Sequence, residues 1–102
     1  MEVYYIIWVY QVDPGKAKDF ETAYSKTGVW FKFLEECDEF LGLELIRNTK
    51  ENTYLAIDKW ISDSSYEKFR KENQARYDDI NQQVKVLFKE ENLMGTFKSI
   101  SV

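Results

Sequence analysis

From Val3 to Val12 the chain is a run of β-branched and aromatic residues without helical spacing, which predicts a strand. By the two-residue period, one face carries Tyr4, Ile6, Trp8, Tyr10 and Val12. The other carries Val3, Tyr5, Ile7, Val9 and Gln11. Both faces are apolar, whereas a strand with one wet face alternates, so this strand is expected to be covered on both sides. Asp13-Pro14 then supplies a helix cap and a proline at the first helical position. Ala17, Phe20 and Tyr24 fall three and four apart on the helix that follows, with Gly28 as its stop. Trp30, Phe33, Leu34 and Cys37 repeat that spacing over a second, short helix.

Phe40 to Arg47 and Thr53 to Trp60 read as two strands of a hairpin, joined by the polar stretch Asn48 to Asn52. Ser62 to Ser65 starts a helix, with Ser64 and Glu67 spaced for a capping box. A helical stripe then runs through Tyr66, Phe69, Tyr77, Ile80, Val84, Leu87 and Phe88, with a break expected near Asn73. Lys89-Glu90-Glu91-Asn92 reads as a solvated helix end, Leu93-Met94-Gly95 as its close, and Thr96 to Val102 as a last strand. The order is β-α(α)-β-β-α(α)-β over a single domain, residues 1–102. It predicts an α+β, ferredoxin-like βαββαβ split arrangement: a four-stranded antiparallel sheet with helices on one face. Helices cover only that face, so a second copy is expected on the other, isologous pairing being the commonest oligomer solution.

Composition sharpens this picture at three points. Seventeen per cent of the residues are aromatic, and a domain of 102 residues leaves much of its surface in water. Its rings must therefore meet each other, a ligand or a partner. The net charge of −4, with acids and bases interleaved, disfavours a binder of nucleic-acid backbone. An RNA-binding domain of the same strand order would also carry a basic-Gly-aromatic signature, which Tyr54-Leu55-Ala56-Ile57-Asp58-Lys59 lacks. The lone Cys37 fits a reducing compartment. The first apolar run stops at Asp13-Pro14-Gly15, too soon for a signal sequence or membrane span, and a cytoplasmic protein is expected.

Four stretches, in order and spacing, resemble the antibiotic biosynthesis monooxygenase-like family of the dimeric α+β barrel superfamily. They are Val12-Asp13-Pro14-Gly15-Lys16, Gly28-Val29-Trp30, the segment from Tyr54 to Ser62, and Tyr66-Glu67-Lys68-Phe69. Val29 departs from the pattern, which has proline there. The resemblance implies a homodimer whose sheets pack face to face, with a pocket in each subunit between the sheet and its own helices. Family members include cofactor-free oxygenases of phenolic and polycyclic aromatic compounds, and haem-degrading enzymes. The haem branch relies on a histidine ligand with an Asn and a Trp; this chain has no histidine, and Phe69 stands where that Trp would fall. Neither a metal nor another cofactor is expected.

The candidate chemistry is sparse. Without imidazole there is no ordinary base near neutral pH. The chain has neither CxxC nor a glycine-rich phosphate loop. Cys37, on an apolar stripe, reads as packing. Asp58 interrupts an apolar strand and shares a face with Tyr54, Ala56 and Trp60. An acid facing a sheet–helix pocket has its pKa raised by desolvation, which suits a general base. The plainer alternative is an ion pair with Arg47, Arg70 or Arg76. Trp30, Trp60 and Tyr77 are candidates to line a flat aromatic cavity or are simply core. Asn81, four residues after Tyr77, is placed to orient a substrate carbonyl or is solvated. A cofactor-independent oxygenase and a non-catalytic ligand-binding or structural dimer both fit these residues.

Overall fold

Strand β1 (Tyr4–Gln11) is hydrogen-bonded along both edges, in a computed structural model that describes residues 2–100. It pairs with β3 (Thr53–Trp60) on one side and β4 (Glu90–Lys98) on the other, and β2 (Phe40–Arg47) lies beyond β3. The order β2-β3-β1-β4 is antiparallel at every pairing, the split βαββαβ arrangement that the pattern predicts. A single turn of 3₁₀ helix, Pro14–Lys16, leads into α1 (Ala17–Ala23), and α2 (Val29–Leu34) completes the first crossover. The second crossover is α3 (Asp63–Glu72) and α4 (Gln74–Val84). The expected break falls at Asn73, whose side-chain amide donates to the Phe69 carbonyl at 2.9 Å and ends α3.

The helices cover one face of the sheet. Ile6, Tyr10, Tyr54, Ala56 and Trp60 point into that layer and join Phe20, Tyr24, Phe33 and Ile80 in the core. Trp60, Tyr54, Phe20 and Ile6 are the largest fully buried side chains, and burial of each contributes roughly 1.5–3 kcal/mol. Aromatic content is spent here on ring contacts. Phe20 stacks on Tyr24 at 4.4 Å between centroids, and Trp60 meets Phe40, Tyr66 and Phe69 at 5.3, 5.5 and 5.6 Å.

No described helix covers the opposite face. By register, Ile7 stands beside Ile57 and Val9 beside Leu55, with Ile46 next to Leu55 and Phe97 next to Tyr5. Ile46 is 44% and Phe97 45% exposed. The strand that is apolar on both faces is thus covered by its own chain on one.

Three local expectations are corrected. Gly28 does not end α1 in a left-handed conformation; it is the N-cap of α2, with φ −85°. Glycine is needed because a Cβ there would run into the Ala23 carbonyl, where the chain doubles back. The cap of α3 is Ser62, whose hydroxyl accepts from the Ser65 amide at 3.1 Å, so Ser64 lies inside the helix and forms no capping box. The last strand begins at Glu90 rather than Thr96, and Ser101 and Val102 lie outside the described residues. Charged residues suit it because β4 is an edge strand, where they deter further pairing. Among the described residues, no helix is long and apolar enough to cross a membrane.

Candidate functional site

A partly open cavity of about 110 Å³ lies between the helix-side face of the sheet and the helices. Its position follows from side-chain size. Toward the two ends of β3, Trp60 and Tyr54 fill the space beneath the helices; between them, Ala56 is too small to do so. The rings of Trp8, Trp30 and Tyr77 form walls around that gap. Trp30 and Tyr77 are edge-tilted neighbours, 5.0 Å between centroids.

Asp58 lines the same space. On the sheet it is flanked by Ile6 of β1 and Leu43 of β2, and along β3 its same-face neighbours are Ala56 and Trp60. None of these neighbours donates to its carboxylate, and the Trp60 indole N–H is itself buried with no partner among the described residues. Burial alone pushes its pKa from 3.8 up to about 7. None of the three arginines considered as partners meets it. Arg47 pairs with Glu21, Arg76 forms a two-pronged ion pair with Glu36, and Arg70 donates to the Tyr66 hydroxyl at 3.0 Å. Among the described residues Asp58 has no side-chain hydrogen bond and no ion pair.

Of the other residues singled out from sequence, Trp30, Tyr77 and Asn81 also line the cavity, Asn81 one turn beyond Tyr77 on α4. Trp60 does not. It is fully buried at the end of β3, enclosed by Phe40, Tyr66 and Phe69, and is core. Cys37 packs against the core.

The structure adds residues that sequence reasoning had passed over. Tyr10, on one face of the first strand, and Tyr24, on the apolar side of the first helix, both line the cavity. The Tyr10 hydroxyl donates to Glu91 at 2.6 Å, joining β1 to β4. Glu91 was placed on a solvated helix end, and its role was invisible without the register Tyr10↔Glu91. Arg70 stands over the Tyr77 ring, 4.6 Å from its centroid; its spacing of four from Tyr66 was the available signal. The Tyr24 hydroxyl and the Trp30 indole N–H are buried with no hydrogen-bond partner among the described residues.

The hydroxyls of Tyr10, Tyr24 and Tyr77 stay protonated near neutral pH. Burial raises Tyr24 to about 12, with the Glu91 and Asp58 carboxylates adding to it. Tyr10 and Tyr77 are also raised, again first by burial. Burial moves Asp58, by contrast, toward neutrality. The arrangement is an aromatic slot with one protonatable carboxyl, several hydroxyl donors and one guanidinium. Among the described residues no three His, Cys, Asp or Glu side chains converge as a metal ion would require.

Comparison with known proteins agrees with the fold. The sequence model of the antibiotic biosynthesis monooxygenase family matches residues 3–77. A candidate antibiotic biosynthesis monooxygenase from Bordetella bronchiseptica superposes with a TM-score of 0.75, at 18% identity over 100% of this chain and 99% of that one. SnoaB, a cofactor-independent oxygenase from Streptomyces nogalater, gives 0.72 at 19% identity over 99% and 95%. The monooxygenase of the gene ActVA-Orf6 from Streptomyces coelicolor, solved with nanaomycin D, gives 0.70 at 16% identity over 97% and 87%. At such identities the likeness carries the fold. No protein of curated function matches.

Proposed function

This chain belongs to the antibiotic biosynthesis monooxygenase family, and from that premise we propose that it oxygenates a phenolic or enolic compound without a cofactor, using Asp58 as the base. The observation that carries this reading is the unpaired Asp58 carboxyl in a ring-walled cavity. A base works best when its pKa lies near the operating pH, and burial brings Asp58 there. Support comes also from the likeness to SnoaB, a cofactor-independent oxygenase, and to the Streptomyces coelicolor monooxygenase that binds nanaomycin D.

In this reading Trp30 and Tyr77 hold the ring flat and Asn81 orients an oxygen substituent. Asp58 takes the hydroxyl proton. The resulting phenolate is electron-rich enough to reduce dioxygen, and the ring carbon gains a C–O bond. Cleavage of the O–O bond leaves one oxygen as a quinone carbonyl and releases the other as water, so that phenol and O₂ give quinone and H₂O. The cavity contributes a fixed orientation and exclusion of bulk water. The single domain, with Cys37 reduced, suits the cytoplasm. The uncovered sheet face, with Ile7, Val9, Leu55 and Ile57, serves as the contact with a second copy, since exposed apolar faces of this kind mark interaction surfaces.

Oxygen uptake with a panel of phenols, hydroquinones and enols tests the reading. Turnover with at least one compound, reduced 100-fold or more in Asp58→Asn, is the expected result. Saturable binding with no uptake across the panel would leave a ligand-binding dimer instead.

A further inference from the structure

We infer that the cavity takes a single-ring hydroxylated aromatic acid, with the anionic group on Arg70 and the ring hydroxyl toward Asp58. This deepens the oxygenase reading and rests on it for the role of Asp58; size and charge rest on separate observations.

Size comes first. The cavity measures about 110 Å³, below the ~150 Å³ of an apolar protein cavity known to accept benzene. The enclosed part therefore has room for about one six-membered ring, with small substituents reaching its open side, whereas three fused rings exceed it.

Charge comes from the arginines. Arg47 and Arg76 each meet a glutamate. Among the described residues Arg70 is the arginine that meets no acid within ion-pair distance, although it is half-buried and lines the cavity. It is held instead by the Tyr66 hydroxyl at 3.0 Å and by the face of Tyr77 at 4.6 Å. Those two contacts use one N–H and the flat face of the guanidinium, and leave its remaining N–H donors free for a planar, two-oxygen acceptor. Asp78 contributes a favourable field without touching it. Asp58 and Glu91 are the acids that line the cavity, and Glu91 is engaged by Tyr10. Arg70 enters from α3 and Asp58 from β3, with no ion pair between them, so a ligand that satisfies both must span the slot. A benzene ring carrying a carboxylate and a hydroxyl does so.

The experiment compares 3-hydroxybenzoate with its neutral amide, 3-hydroxybenzamide, by quenching of tryptophan fluorescence in the wild type, Arg70→Met and Arg70→Lys. Wild type is expected to bind the acid about tenfold or more tightly than the amide. Arg70→Met should abolish that preference while leaving amide affinity within about twofold, and Arg70→Lys should keep part of it. The amide arm reports whether each variant retains a folded cavity. Equal affinity of wild type for acid and amide overturns the charge assignment. Saturable binding of a three-ring phenol with none of either benzene derivative overturns the size assignment and leaves the oxygenase reading standing. If no phenol of any size binds, the oxygenase reading fails as well.

Discussion

Asp58 and Arg70 line one cavity from opposite layers, strand β3 and helix α3, without an ion pair between them. The carboxyl is raised by burial alone, with no contribution from the guanidinium. Here Tyr66 and Tyr77 hold the guanidinium in place, while Ile6 and Leu43 flank the carboxyl. The cost falls on Asp58, and it makes the residue legible by pH.

In the unfolded chain Asp58 ionises near 3.8, and in the fold near 7. Its neutral form is the one that the fold favours. The contribution of this residue to stability is therefore intact below about pH 4, declines as pH rises to about 7, and is flat above. Asp58→Asn should raise stability at pH 8 by about 1–3 kcal/mol and leave it unchanged near pH 4. Urea denaturation at both pH values measures this. A loss of stability at pH 8 would mean that the carboxylate has a partner.

Activity should run the other way. A base must be ionised, so kcat/KM is expected to fall about tenfold per pH unit below about 7, following Asp58. Tyr24 and Tyr77, pushed up by burial, stay protonated through this range, and Arg70 stays charged. A pH–rate profile flat from 5 to 8 would remove Asp58 from the reaction.

Trp60 and Trp30 separate core from site. Trp60→Phe should cost about 1–3 kcal/mol and leave phenol affinity of the folded protein nearly unchanged. Trp30→Leu should weaken phenol binding about tenfold, through loss of a cavity wall. Thermal melts and binding isotherms of the two variants check the division.

Much of the fold was legible because hydrophobic spacing reports burial. The β2–β3 hairpin and the break at Asn73 fall where the pattern puts them. The β4 start was missed because Glu90, Glu91 and Asn92 carry the polarity of an edge strand, and after the helical stripe that polarity also describes a helix end. The site was half legible. Asp58 stands out as an acid in an apolar strand, and Trp30, Tyr77 and Asn81 follow helical spacing. Trp60 shares the Asp58 face, but alternation along a strand does not say where the helices leave a gap. Glu91 and Arg70 depend on partners that no local pattern reveals: a cross-strand tyrosine and a ring face on another helix.

Gly28 offers a test of the fold itself. A Cβ at that position would collide with backbone at Ala23 and Thr22, which cannot rotate aside. Gly28→Ala should therefore cost about 1–3 kcal/mol, whereas Gly15→Ala, which meets open space, should be near neutral. Paired denaturation curves give the comparison.

The uncovered sheet face should be visible in solution. Light scattering is expected to give twice the subunit mass, and Ile57→Lys, which puts an unpaired charge at the centre of that face, should shift the protein to monomer. An Ile57→Lys protein that stays dimeric would place the contact elsewhere.

The central claim, a ligand seated in the Trp30 cavity, is tested most directly by the indole ¹⁵N–¹H signals of the three tryptophans during titration with a simple phenol. Trp8 and Trp30 line the cavity and Trp60 does not. The Trp8 and Trp30 signals are predicted to move together and saturate, with Trp60 unmoved. Three signals that stay still, or a shift confined to Trp60, would contradict the account.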